Sequence, residues 1–473
     1  MRLLKSSHMR QKPPAMAGLP SRTAVFYVVL FAISLVFYGT LWPNAPLLQD
    51  DSWGYLRLAQ DLAHVQINEL HWRTPGYPLL LMLTGSSQGP TRMLFFTSLL
   101  LHFASIWLLA SALSWVGLTG RALNLFAVLL VLPPFVEYAG YVLAENVTEF
   151  MLVVGFVSLV AWLLRSGTTW LAISAVAIAY TALTRPSYQL LAFVLAGCLL
   201  FTPILFRWAP FRYRDMIKPS IVLIMTTVIM LGGYSYMNYR KFGFFGTTTQ
   251  LGFNLSTKTP RVIERLPDEY STVREILLKA RDAELVKRDI THTGHTYIDI
   301  IIPELSVATG LSMPQLSTYM TRLNLLLIAK APLEYFREVL WALCTYWFPS
   351  STALANMNSR SLQLLWAILH FGVTGIFALN FVVLIGATSY MMMCRRRVVT
   401  RDRMLVTKLR LSDFQGFVYI LAGSIVIYSA LITCVAGVGD ARYRVPTDGL
   451  IIFMCFLGIH LWRRLINLAQ IVF

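Results

Sequence analysis

The chain has 473 residues, of which 56% are hydrophobic and 13% charged, with a mean hydropathy of +0.60. Soluble domains carry roughly a quarter charged residues, so this composition excludes an ordinary water-soluble globule and makes a bilayer the natural solvent. The net charge of +17 fits either a nucleic-acid surface or an asymmetric membrane topology, and the placement of charge along the chain separates the two.

The basic start MRLLKSSHMRQKPPAMAGLPSR leads into an apolar run over 23–42. That run is long for a signal-peptide core and no small-residue cleavage motif follows, so it reads as a retained first helix. Further runs lie at 93–113, 122–136, 146–164, 170–184, 187–206, 219–237, 361–393, 414–436 and 448–466. They predict an all-α polytopic membrane protein with about ten (10–13) transmembrane helices. With the N-terminus in the cytoplasm, the inner segments hold half of the 40 basic residues but just Asp215, Asp402 and Asp413 of the 23 acidic ones. The charge excess is therefore topological. It predicts cytoplasmic termini, some attraction to anionic lipid and no nucleic-acid partner.

Two outer segments, 43–92 and 238–360, are too long to be turns. The division expected is an N-terminal transmembrane module over 1–237, a non-cytoplasmic loop region over 238–360 and a C-terminal transmembrane module over 361–473. In the middle region, Val273, Ile276, Leu277, Ala280 and Leu285 have the spacing of an amphipathic helix. The stretch LNLLLIAKAPLEYFREVLWALCTYWF mixes apolar and charged residues, as juxtamembrane interfacial helices do. The five cysteines form no CxxC pair, so neither a zinc site nor a disulfide framework is expected.

Candidate chemistry gathers in the outer segments. Asp50 and Asp51 follow the first helix and precede an amphipathic helix with Tyr55, Leu58 and Leu62 on one face. Such a pair serves as a general base, as metal ligands or as a helix N-cap. Arg73, in HWRTPGYP, sits where the chain re-enters the membrane. It fits a bidentate phosphate contact or a snorkelling interfacial arginine. Glu145 opens a helix in YVLAENVTEF, where the helix dipole alone favours it. Arg185 lies between two short spans in LTRPSY, and ionisable residues at such depth usually face a cavity or a partner. Arg442, Tyr443 and Arg444 lie in GVGDARYRVPTDG, a short outer loop where basic residues are normally avoided. A phosphate ligand explains them, as does a salt bridge to Asp440 or to the first loop. His71, His292 and His295 are outer histidines, and HTGH is weak evidence for a metal. No GxGxxG, P-loop, GxSxG or HExxH motif is present, so a donor for outer-face chemistry would have to be carried in the membrane.

These residues resemble, in order, the GT-C class of polytopic glycosyltransferases that use polyprenyl-phosphate sugars, which includes protein O-mannosyltransferases and lipid A aminoarabinose transferases. The resemblance rests on DDSWGYLRLAQDL, RTPGYPLLLML, LAENVTEF, LTRPSYQLL, NYRKFGFFG and ARYRVP. It implies a GT-C fold and an inverting transfer of a sugar to an acceptor hydroxyl of a glycan, lipid or protein at the outer membrane face. Asp51 matches the base position of that class, with Asp50 beside it. Arg73, Arg185, Arg442 and Arg444 would hold the donor phosphate. Tyr55, Tyr77, Glu145, Asn238, Tyr239 and Tyr443 would line the pocket. No cofactor is required, although some relatives bind a divalent metal. A bacterial inner membrane with a periplasmic active site is the expected location. A transporter or flippase of an anionic or lipid-linked glycan also wants intramembrane arginines and glutamates, but no paired repeat is visible. A silent scaffold would not need the aspartate pair and the Arg-Tyr-Arg loop together.

Overall fold

The computed structural model describes residues 19–42, 44–66, 68, 70–205, 211–288, 296–349, 359–395 and 403–472. Among these, the regular elements are helices, with one isolated parallel bridge between Leu47 and Tyr141. The first half holds α1 (Ser21–Leu41), α2 (Ser52–Ala63), α3 (Gly76–Leu83), α4 (Arg92–Trp115), α5 (Arg121–Leu130), α6 (Pro133–Val136), α7 (Glu145–Arg165), α8 (Thr168–Thr184), α9 (Leu191–Leu205) and α10 (Tyr213–Phe242). The middle holds α11 (Gln250–Ser256), α12 (Ser271–Arg288), α13 (Thr296–Thr309), α14 (Met313–Lys330) and α15 (Pro332–Trp347). The last part holds α16 (Arg360–Arg395), α17 (Arg403–Ala436) and α18 (Val445–Val472).

Among the described residues, each of the ten apolar runs lies mainly in helix, with a break inside 122–136. Eight described helices are long and apolar enough to cross a bilayer, and the bent pair at 121–140 makes a ninth. The bend of 60° has a local cause. Leu132 is extended (ψ 147°) before Pro133, because a proline ring disfavours helical geometry in the residue ahead of it and cannot donate to the preceding turn. The 17 residues of α8 lie at the short end of the roughly 17–25 that span a hydrocarbon core. The protein is thus a multi-pass membrane protein.

Two large cores organise it. The membrane core joins Tyr27, Phe103, Phe126, Phe156, Leu195, Phe417 and Phe453 from seven different helices. Without a hydrophobic drive between helices in lipid, close packing depends on small residues. Gly155 of α7 is such a point: a Cβ there would lie 2.6 Å from Ile178 Cδ1, and Ser174 Oγ of α8 donates to the Gly155 carbonyl at 2.8 Å. The second core lies in the 238–360 region and is built on Phe253, Leu277, Tyr297, Leu305 and Leu323. There α12 buries Val273 and Leu277, with Ile276 and Ala280 packed beside them, as their spacing predicts, while Leu285 of the same expected face is half-buried outside this core. The LNLLLIAK stretch breaks at Ala331–Pro332 into α14 and α15. Glycine is needed at 252, where a Cβ on α11 would fall 2.1 Å from the Ser317 carbonyl of α14. His292 and His295 lie outside the described residues.

Candidate active site

The turn ahead of α2 is stitched to the chain that leads into α7. Leu47 N–H donates to Gly140 O at 2.8 Å, Val142 N–H donates to Leu47 O at 2.9 Å, and Ser52 Oγ donates to Val142 O at 2.8 Å. This brings Asp51 beside Glu145, 94 positions later in the sequence. Asp51 flanks the first turn of α2 with helical dihedrals (φ −67°, ψ −23°), and its side chain makes no capping bond. The carboxylate is turned elsewhere: its Oδ1 accepts from Arg73 Nη2 at 2.5 Å and its Oδ2 lies 2.8 Å from Arg442 Nη2.

Arg73 is held from three sides. Its guanidinium sits 4.7 Å above the Tyr55 ring, its carbonyl accepts from Tyr234 O–H at 2.9 Å, and it passes close over α2. A Cβ at Gly54 would lie 2.9 Å from Arg73 Nε. The following helix α3 seats Gly76 against the end of α8, where a Cβ would meet Thr184 Oγ1 at 2.4 Å, and Tyr180 O–H donates to the Gly76 carbonyl at 2.8 Å. That contact sets the Arg73 loop beside Arg185, the residue that ends α8.

Glu145, first residue of α7 and fully buried, links the remaining arginines. Its Oε1 accepts from Arg442 Nε at 2.5 Å and lies 3.5 Å from Arg185 Nη2. Glu145 Oε2, Arg185 Nη1 and Arg73 Nε are buried with no hydrogen-bond partner among the described residues. Arg185 lies over the Tyr443 ring at 4.7 Å. Tyr55 and Tyr77 close the floor edge to face, centroids 5.0 Å apart. Three guanidinium groups thus share two carboxylates, a net charge of +1 in a largely buried setting. Burial opposes ionisation of Asp51, but Arg73 and Arg442 outweigh it and hold its carboxyl well below the usual carboxylate range.

Not every residue predicted from the sequence joins this cluster. Arg444 faces the opposite way: its Nε donates to Asp448 Oδ1 at 2.7 Å, and its Nη1 donates to the carbonyls of Tyr346 (2.6 Å) and Phe348 (2.9 Å). Arg442 and Arg444 lie two apart in a 3-10 turn over Ala441–Arg444. With three residues per turn, positions two apart point to different sides. Asp440 does not pair with either side chain; it accepts from Arg442 N–H at 2.9 Å and caps the turn. Asn238 is buried and donates to Gly246 O at 2.7 Å, bracing the turn after α10. Tyr239 is 53% exposed on that helix. Asp50 is exposed.

Asp299 of α13 was not singled out from the sequence. It keeps accessible surface, yet partial burial and then the nearby Asp51 carboxylate raise its pKa to about 6, with Arg73 opposing. Asp299 thus lies within electrostatic range of Asp51 and Arg73, on the side where the outer core faces them. No local pattern marks it, since acidic residues are common in that region.

No protein-family model matches the chain, and no curated protein matches it. Solved structures do. The Archaeoglobus fulgidus oligosaccharyltransferase in its apo form is 15% identical, with a TM-score of 0.50, covering 94% of this chain and 52% of that one. Archaeal oligosaccharyltransferase AglB from the same organism, in complex with an inhibitory peptide and a dolichol-phosphate, is 13% identical with a TM-score of 0.49, covering 93% and 52%. ArnT from Cupriavidus metallidurans, bound to undecaprenyl phosphate, is 16% identical with a TM-score of 0.37, covering 93% and 77%. The chain spans about half the length of the oligosaccharyltransferase chains it matches. At these identities the likeness concerns the fold, which is the all-α GT-C fold expected from the sequence.

Proposed function

We propose that the protein is a membrane glycosyltransferase that moves a sugar from a polyprenyl-phosphate donor to an acceptor hydroxyl at the outer face of the membrane, with inversion. The observation that carries this reading is the Asp51 carboxylate held between Arg73 and Arg442, with Arg185 one residue further through Glu145. The GT-C fold supports it. The setting we infer is a bacterial inner membrane with the site on the periplasmic side, and the reaction requires no cofactor.

The chemistry follows from the charges. Polyprenyl phosphate leaves readily once its developing charge is met by fixed cations, and guanidinium groups meet phosphate oxygens in pairs. The transition state at the anomeric carbon is oxocarbenium-like. Asp51 is positioned to receive the proton of the incoming hydroxyl as that oxygen bonds to the anomeric carbon and the phosphate oxygen departs with the electron pair. A carboxylate clasped by two arginines is a poor base. When the donor phosphate takes over Arg73 and Arg442, Asp51 loses the charges that depress its pKa and becomes basic enough to act. In this reading the ion pairs hold the place of the phosphate, and donor binding switches on the base. Glu145 has no room for substrate; it orients Arg442 and Arg185.

The test is mass spectrometry of envelope glycans and lipids from cells with and without the protein, complemented by wild type or by Asp51→Asn. A single sugar increment that depends on Asp51 is expected. Accumulation of an intact lipid-linked glycan on one membrane face, with no missing increment, would point to a transporter instead.

A further inference from the structure

A second recess lies behind the arginine turn. A cavity of about 320 Å³ is lined by Thr257, Lys258, Glu338, Trp341, Thr345 and Asp440, among others, a size at the lower end of the roughly 300–1,000 Å³ of small-ligand sites. It adjoins the cluster through a shared wall. Gly439 sits at φ +71° with the Ala342 carbonyl 2.5 Å from where a Cβ would be, and Thr345 Oγ1 donates to Gly439 O at 3.1 Å. The next residues run straight into Arg442. The turn therefore has the cavity on one side and Asp51 on the other.

The lining has the chemistry of a sugar subsite. Trp341 keeps 54% of its surface accessible and offers an aromatic face to the C–H side of a pyranose ring. Thr257 and Thr345 supply hydroxyls that can each still accept, and Asp440 is a solvated carboxylate. Glu338 is neutralised by Arg261 at 2.8 Å. Lys258 is different. It is 4% exposed, its Nζ has a single long contact to the Glu338 carbonyl at 3.5 Å, and among the described residues no carboxylate lies within ion-pair distance. An ammonium has three donors, so two remain free. Burial pulls its pKa down to about 8, which leaves it mostly charged at neutral pH. Buried charges are normally paired, and among the described residues the carboxylate that acts on Lys258 is that of Glu338, which is already bonded to Arg261.

We infer that this cavity binds a sugar unit of the acceptor that carries an anionic substituent, with Lys258 on the anion and Trp341 under the ring. The inference rests on the glycosyltransferase reading for the word acceptor. The donor sugar must lie beside its phosphate at Arg442, whereas this cavity is on the far side of the turn. The occupant is thus the partner in the reaction, held so that its hydroxyl reaches past the turn to Asp51.

The test uses the full-length protein in nanodiscs and saturation-transfer NMR with D-glucuronate and D-glucose as probes. Wild type should bind both, glucuronate more tightly. Lys258→Met should weaken glucuronate about tenfold, equivalent to about 1.4 kcal/mol, and leave glucose unchanged. Lys258→Arg should retain most of the preference, and Trp341→Ala should weaken both sugars. Thermal unfolding of each variant separates loss of the subsite from loss of the fold. Asp51→Asn should bind both sugars as wild type does, so failure of the catalytic reading and failure of the subsite are read apart. A folded wild type that binds neither sugar, a Lys258→Met protein that keeps its preference for glucuronate, or displacement of glucuronate by a short acidic peptide at lower concentration would each overturn the inference.

Discussion

The two faces of the Ala441–Arg444 turn hold the same residue type in opposite conditions. On one face Arg442 meets Asp51 and Glu145, carboxylates that reach it from the first loop and from α7. On the other, Arg444 is consumed by Asp448 and two main-chain carbonyls, and is 4% exposed. Arg444 ties the turn to α15 and α18, and a phosphate could take it over only by breaking three bonds. Arg442 has in Asp51 a partner that a phosphate could replace charge for charge, while Glu145 stays in place. An arginine next to a membrane site is thus a ligand or a rivet according to what else is bonded to it, and residue type alone does not decide.

That contrast can be broken in graded ways. The largest effect belongs to Asp51→Asn, which should reduce sugar transfer per folded molecule by about 10²- to 10⁴-fold, the range for loss of a positioned base, and also lower thermal stability, because Arg73 and Arg442 lose a countercharge; a variant retaining full transfer removes Asp51 from the chemistry. Arg442→Ala comes next. It should weaken binding of undecaprenyl phosphate by at least about tenfold while acceptor affinity changes little, and the reverse pattern would move the phosphate elsewhere. On the other face, Asp448→Asn leaves Arg444 buried without its countercharge. It should cost about 3 kcal/mol of stability, seen as an earlier unfolding transition, with donor affinity per folded molecule preserved.

A smaller effect concerns pH. The pKa of Asp299 is raised from 3.8 to about 6, so its contribution to folding is present below 3.8 and lost as pH rises through 6. Asp299→Asn should flatten the thermal stability profile between those values, and an unchanged profile would show that Asp299 is not coupled to the Asp51 carboxylate. The smallest effect is that of Gly54→Ala. Alanine favours a helix over glycine by roughly 1 kcal/mol, yet its Cβ would press on Arg73 Nε. Donor binding should fall a few-fold while α2 itself gains helical propensity, and unaltered donor binding would show that Arg73 has room to spare.

The difference between the two faces also shows what the sequence could and could not convey. Spans were legible because hydropathy over 20 residues is a bulk property, and even the break at 132–133 had its signal in two prolines. Asp51, Arg73, Glu145, Arg185 and Arg442 could each be named, but every one had a bland alternative, and what gathers them is packing across separate segments. The salt bridge from the arginine loop to the first loop, one of those alternatives, is present in the structure as the link between Arg442 and Asp51. Arg444 was misplaced because spacing of two says nothing until the 3-10 geometry of the turn is known. Asn238 braces the turn after α10 through its side-chain amide, and Tyr239 points out from that helix, so neither reaches the Asp51 cluster. Lys258 escaped notice because burial of a charge in a polar loop has no periodic signature, and Asp299 because what surrounds it on α13 comes from distant segments.

The account turns on whether the ion pairs at Asp51 hold a place for phosphate. The direct measurement is the affinity of Asp51→Asn for undecaprenyl phosphate, compared with wild type by native mass spectrometry of the detergent-solubilised protein. Removing the competing carboxylate should free Arg73 and the Arg442 Nη2 that faced Asp51, so the inactive variant should bind the lipid as tightly as wild type or tighter. Weaker binding in a folded variant would contradict the account, because it would make Asp51 a support for the lipid site rather than its rival.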